Sequence, residues 1–201
     1  MPMFPLGSTV FPGQVVPLHV FEPRYRALLD ELLGGDSEPT FGIVLIDRGF
    51  EVGGGDHRVD VATRVEILQA EEFEDGRWAV VTAGVERLDI LEWLSDDPYP
   101  RAIVAPRPVD DDGGASLDDL QDLLLATIEL AARSVGVDPP ESLDFSNDPQ
   151  TRLDQLSALS PLTEFDRQKV LEARTTSRQI ALLSEALSEK QLLIRAELDG
   201  R

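Results

Sequence analysis

The sequence predicts an α+β protein: an N-terminal antiparallel β-barrel, closed or nearly so, with one short helix, followed by a C-terminal bundle of α-helices. Three observations carry this expectation. Residues 1–108 hold short apolar stretches, alternating or continuous, punctuated by glycine and proline. Residues 116–201 hold apolar stripes at three- and four-residue spacing with capping residues at their ends. Between them, residues 109–115 are polar, acidic and glycine-bearing, which marks a linker between two subdomains, 1–108 and 116–201.

Residues 10–33 read as a strand that passes into a helix without a loop. Proline donates no ladder bond, so Pro12 and Pro17 belong at strand ends, edges or bulges. His19 faces away from Leu18 and Val20 on such a strand. In the helix, Tyr25, Leu28, Leu29, Leu32 and Leu33 form one apolar stripe, Pro23 suits the first helical position, and Gly34 and Gly35 supply the stop. Such a helix can cover an open side of a barrel. Residues 41–46 are continuously apolar, as in a strand buried on both faces. Gly53, Gly54, Gly55 and Asp56 read as a turn, with His57 in the same loop. Val59, Val61, Thr63, Val65 and Ile67 alternate with polar residues as a half-buried strand. Asp75-Gly76 suits a type I′ hairpin turn, and the partner strand starts at Trp78. Gly84 interrupts that strand at a bulge or bend, after which Leu88 and Ile90 mark the buried face. Residues 101–105 form one more strand.

In the second half, Ser116 with Asp119 resembles a capping box, opening a helix with the stripe Leu120, Leu123, Leu124, Ile128 and Ala131, which ends before Gly136. Residues 137–147 read as loop. Asp148-Pro149 starts a short helix holding Leu153 and Leu156, and Pro161 interrupts. Thr163 caps a helix running to Arg174. Ser177 starts a long helix with Ile180, Leu183, Leu187 and Ile194 among its apolar positions, about 33 Å in length at 1.5 Å per residue.

Composition restricts function. Net charge is −20, and the excess is shared equally: residues 1–107 and 108–201 each carry 9 basic and 19 acidic groups. No cationic half exists to displace counterions from a polyanion, so nucleic acid and anionic membrane are not expected partners. The absence of cysteine removes disulfides, thiolate metal sites and thiol nucleophiles. No stretch reads as a signal peptide or a membrane span, and the expected location is the cytoplasm. No phosphate-binding GxxxxGK[ST] loop occurs. The only histidines are His19 and His57, and a structural role is the expectation for both. No catalytic residue, metal or cofactor is expected.

Several motifs together resemble a family. Phe4-Pro5-Leu6, Val10-Phe11-Pro12-Gly13, Val16-Pro17-Leu18 and Phe21-Glu22-Pro23-Arg24-Tyr25 form a run similar to the signature of the N-terminal substrate-recognition domain of Lon ATP-dependent proteases. Gly84-Val85-Glu86-Arg87-Leu88-Asp89-Ile90 resembles a second signature, with Leu88 where an aromatic residue is more usual. Asp97-Pro98-Tyr99-Pro100-Arg101-Ala102 and the helical segment with Leu159-Ser160-Pro161, Arg167-Gln168-Lys169 and Leu171-Glu172 extend the likeness over nearly the whole chain. Ala62 stands where the family commonly has glycine. The resemblance implies a stand-alone form of that domain, without ATPase or protease modules, built as a PUA-like pseudo-barrel followed by a helical bundle. It implies a non-enzymatic adaptor or chaperone-like binder of unfolded or specific polypeptides, working with a separate protease or chaperone. The alternative is a small-molecule or RNA-binding regulator using the barrel, and an unrecognised hydrolase ranks third.

Two sets of residues are candidates for function. Pro12, Glu22, Arg24, Tyr25 and Arg87 either line a polar groove or lock the strand-to-helix turn, and the structural role is favoured. Phe73, Trp93, Tyr99 and Phe145 lie near loops or strand ends, where exposed aromatic surface could hold a polypeptide.

Overall fold

The apolar run at residues 41–46 lies in the second rank of a curled sheet. The computed structural model describes residues 1–35, 38–49, 55, 57–113, 116–140 and 142–199. The chain forms two units, Met1–Pro108 and Val109–Arg201. The first contains β1 (Met3–Leu6), β2 (Val15–Val20), α1 (Pro23–Leu33), β3 (Thr40–Arg48), β4 (His57–Glu72), β5 (Trp78–Trp93) and β6 (Ala102–Pro106). Sheet order is β1-β3-β4-β5-β2, with β6 also on β5. β2 pairs with the first part of β5 and β6 with the last part.

The sheet is mixed, which corrects the expectation of an antiparallel barrel: β1 runs parallel to β3, with Met3 opposite Gly42 and Leu6 opposite Leu45. The result is a half-barrel whose far strands touch at one point. Pro2 bridges Arg101, and the Met3 amide donates to the Pro100 carbonyl at 2.8 Å.

Apolar side chains fill both faces of this sheet. Phe4, Leu18, Val20, Phe41, Ile43, Val65 and Val80 join Tyr25, Leu28 and Leu29 of α1 in the larger core. Met3, Val44, Ala62, Leu88 and Ala102 form a smaller core on the other face. Strand β3 feeds both, which is why its run is continuous rather than alternating. Each buried leucine of α1 contributes about 2 kcal/mol of apolar transfer; of the expected stripe, Tyr25, Leu28 and Leu29 are buried against the sheet, while Leu33 at the end of the helix is exposed.

Gly84 controls the register. Val65 faces Gly84, but Arg64 faces Glu86, so Val85 is an extra residue in β5. Val80 before this bulge points into the larger core, and Leu88 after it points into the smaller one. Even-numbered positions on both sides of the bulge therefore serve opposite faces. Leu68 is the extra residue of a second shift, between Ile67 and Gln69, and is 55% exposed.

The turn before β2 docks against Gly84. Pro12 and Gly13 occupy the centre of a turn closed by the Gln14 amide on the Phe11 carbonyl, 3.1 Å, and Gly13 has φ 77°. Proline followed by a positive-φ glycine is the type II pattern. Gly13 then donates to the Gly84 carbonyl at 2.8 Å, and Gly84 donates to the Gln14 carbonyl at 2.9 Å. A Cβ on Gly84 would stand 2.2 Å from the Phe11 carbonyl oxygen. The strand after Pro12 thus begins only at Val15, and Pro17 sits mid-strand on a sheet edge.

Three other local readings change. The hairpin at residues 73–77 is not type I′, which needs two positive φ values; only Gly76 is left-handed, at 76°. The Gly76 amide donates to Phe73 and the Phe73 amide to Arg77, both at 2.8 Å, giving a type I turn with a glycine bulge. His57 is the first residue of β4 rather than loop. The strand after Pro100 is shifted to Ala102–Pro106, because Arg101 is held in the Pro2 bridge. The turn read at Gly53, Gly54 and Asp56 lies outside the described residues.

The second unit contains α2 (Leu117–Val135), α3 (Pro149–Leu159), α4 (Glu164–Glu172) and α5 (Thr176–Asp199). Their starts follow the capping signals: Ser116, Asp148 and Thr163 accept from the amides of Asp119, Thr151 and Asp166. Gly136 ends α2 at φ 74°. In α2 the buried set is Leu120, Leu124, Thr127 and Ala132, so Ala131 is only half-buried. Thr127 is buried because it takes a bond from Gln191 of α5, 3.0 Å. α4 stops at Glu172, two residues before the expected end. Ile180, Leu183, Leu187 and Ile194 are all buried along α5. Asp110 and Asp112, expected in a linker, engage the start of α5. Asp110 bridges Thr175, and the Asp112 carboxylate accepts from the Ser177 amide at 2.8 Å.

Two predictions follow from these contacts. Gly84→Ala drives a Cβ into backbone rather than into a movable side chain, and should cost on the order of 3 kcal/mol; a urea midpoint unchanged from the parent would refute the close approach. Asp112, Asp148 and Asp166 have carboxyls held below the usual range, chiefly by hydrogen bonds from Ser177, Thr151 and Thr163 respectively. A depressed folded pKa adds stability above the unfolded value, near 3.9, that is lost as pH falls through the folded one. Thermal melts from about pH 5 down to about pH 2 should therefore show a decline that Asp112→Asn makes shallower.

Candidate functional site

Where β2 ends, its last residues, the following Phe21 and the β4–β5 hairpin enclose a groove. Its walls are His19, Val20, Phe21, Phe73, Arg77 and Trp78, around a volume of about 510 Å³. Register explains the assembly. Val20 pairs with Trp78, and Trp78 with Glu72, so three strands present one rung at this end of the sheet. Phe21 follows immediately and is 52% exposed, and Phe73 is 41% exposed. Trp78 is half-buried against the larger core, and its indole nitrogen is buried with no hydrogen-bond partner. Exposed rings beside a half-buried one give an apolar lining that water covers at a cost.

Polar groups fix the groove's frame. Arg77 is held by the Asp75 carboxylate at 2.7 Å. The Arg77 backbone and side chain together hold the Asp75 carboxyl below its usual range, the backbone bond being the largest cause. The Arg26 guanidinium of α1 lies against Gly76, 2.1 Å from where a Cβ would stand. Arg24 pairs with Glu22 at 3.2 Å and lies over the Tyr25 ring, 4.5 Å from its centroid. Tyr25 is buried against Phe4, with ring centroids 4.4 Å apart. Glu22, Arg24 and Tyr25 therefore surround the start of α1, while Pro12 and the buried Arg87 belong to the neighbourhood of the bulge.

The sequence-predicted aromatic residues separate. Phe73 is in the groove. Trp93 borders a second depression with His57, Arg58, Asp60 and Asp96, where the Arg58 guanidinium lies 4.7 Å over its ring and pairs with Asp96 at 2.5 Å. Tyr99 is core at 1% exposure: its hydroxyl bonds Glu31, and Arg101 donates to it at 2.9 Å. Burial first, then the Glu31 bond, pushes its hydroxyl pKa up. Phe145 is half-buried in the second unit. Phe21, His19 and Trp78 were not read from the sequence as binding residues, His19 being expected to be structural; the signal that could have found them is the pairing of the end of β2 with the start of β5. No group of three metal-ligating side chains occurs among the described residues, and none of their helices is long and apolar enough to cross a membrane.

Comparison with known proteins places this geometry in a family. The model of the ATP-dependent protease La (LON) substrate-binding domain matches residues 1–189, and the chain belongs to that family. Lon protease 2 of Herpetosiphon aurantiacus is 24% identical over 94% of this chain, and a Lon protease of Anaeromyxobacter dehalogenans is 26% identical over 97%. The chain spans about a quarter of the length of each, 24% in both cases. Among solved structures, a Lon N-terminal domain protein from Xanthomonas campestris superposes with a TM-score of 0.65 at 24% identity, covering 91% of this chain and 95% of its own. The N-terminal domain of a Mycobacterium avium complex Lon protease gives 0.63 at 22% identity, covering 94% and 97%. These two likenesses concern the fold.

The two tryptophans can be separated experimentally. In Trp93→Phe only Trp78 remains to emit, and a polypeptide entering the groove should shift that emission to the blue and reduce quenching by acrylamide. Emission unmoved at saturating polypeptide would place binding elsewhere.

Proposed function

We propose that the chain is a non-enzymatic module that recognises unfolded or specific polypeptides through the groove of Phe21, Phe73 and Trp78. The observation that carries this reading is the exposed aromatic lining at one end of the sheet, in a member of a substrate-binding family. Large aromatic anchors supply most of the binding energy in protein recognition. The groove takes side chains rather than an added strand. β2 is a sheet edge, and Pro17 in its middle has no N–H to offer a visiting chain.

The remaining parts of the reading rest on the same likeness. The curled sheet serves as a PUA-like pseudo-barrel and the four helices as a bundle whose spine is α5. An adaptor or chaperone-like role, with a separate protease or chaperone receiving the bound chain, fits a domain that occupies a quarter of its relatives. The even spread of negative charge argues against nucleic acid as the ligand.

The test is fluorescence anisotropy of a labelled, permanently unfolded polypeptide. Saturable binding that persists in high salt is expected, and Phe21→Ser with Phe73→Ser should weaken it at least about tenfold. Full affinity in the double variant would remove the groove from the mechanism.

A further inference from the structure

The walls and the rim of the groove differ in chemistry. The walls are aromatic, and their one arginine, Arg77, is already matched by Asp75. The rim carries Glu71, Glu72 and Glu74, all exposed. Among the described residues, none offers these three an ion pair or a side-chain hydrogen bond. Their positions follow from the strand register. Glu72 shares a rung with Trp78 and Val20, and Glu71 shares one with Ala79 and His19. Adjacent strands lie about 4.8 Å apart, so the β4 backbone at both positions stands roughly 10 Å from β2, with Glu72 on the face of Trp78 and Val20 and Glu71 on the face of His19, which also lines the groove. Glu74 lies beside Phe73 in the hairpin turn. Three carboxylates therefore border an apolar slot within about one Debye length of it at 0.1 M salt, and they outnumber the one further cation at this hairpin, Arg26 against Gly76.

Building on the polypeptide-binding reading above, we infer that the groove selects segments in which a large apolar side chain is flanked by lysine or arginine, and that it discriminates against the same segment flanked by aspartate or glutamate. The apolar side chain enters between Phe21, Phe73 and Trp78. The flanking cations lie over Glu71, Glu72 and Glu74, where their attraction is greater than at an uncharged rim. The net charge of −20 acts in the same sense at longer range, drawing cationic segments toward the surface and repelling acidic ones.

Three fluorescent peptides of equal length test this: a Phe-Leu centre flanked by lysines, the same centre flanked by glutamates, and a Ser-Ser centre flanked by lysines. At low salt the first should bind at least about tenfold more tightly than the second, with the gap closing as salt rises. The third should lose most of its affinity at every salt concentration. Combining Glu71→Gln, Glu72→Gln and Glu74→Gln alters only exposed side chains and should shrink the gap between the first two peptides. Equal binding of those two, both weakened by Phe73→Ser, would overturn the charge selection and leave the groove standing. If Phe73→Ser weakened neither, the groove itself would fall and the selection with it. A serine-centred peptide that bound as well as the first, or a gap untouched by the triple variant, would also overturn the inference.

Discussion

The β-unit depends on one close backbone approach, the turn of Pro12 and Gly13 against Gly84. Two reciprocal backbone hydrogen bonds, 2.8 and 2.9 Å, hold it, and no side chain fits between. The turn brings Phe11, fully buried, onto the bulge and sets where β2 begins. β2 then runs along β5 in fixed register and delivers Val20 opposite Trp78. Phe21 and the start of α1 follow within three residues. The groove at one end of the sheet is thus positioned by a contact at the other end of β2. The two sequence signatures that read as separate motifs, one before residue 25 and one after residue 84, are two sides of this contact.

Much of this was legible in the residues. Gly84 announces an irregularity because glycine inside an alternating strand marks a bulge, a bend or a close backbone approach, and here it marks both a bulge and a close approach. The α1 stripe and the caps at Ser116, Asp148 and Thr163 each obey a local rule, and each element begins within a residue or two of its signal. Local chemistry decided these, so a local reading sufficed.

What was not legible is what depends on pairing across the chain. β1 is four residues, and nothing in Met3–Leu6 shows that it runs parallel to β3. The turn at residues 73–77 is type I with a glycine bulge, and not the expected type I′, because Phe73 rather than Glu74 pairs with Arg77 across the hairpin. Tyr99 resembles a surface aromatic beside prolines, yet it is core because Glu31 and Arg101 satisfy its hydroxyl. The groove escaped notice for the same reason. Its residues come from two segments more than fifty positions apart, and only the rung through Val20, Trp78 and Glu72 joins them.

The bulge at Val85 has a consequence for how this chain can change its length. Substitution there exchanges one exposed side chain for another, since Val85 is 38% exposed. Deletion would be a different event. Removing a single residue would erase this bulge, turning Leu88 and Ile90 toward the other face and carrying β6 with them. Loops elsewhere in the chain can lengthen or shorten at modest entropic expense. Here the number of residues, more than their identity, is what heredity has to preserve.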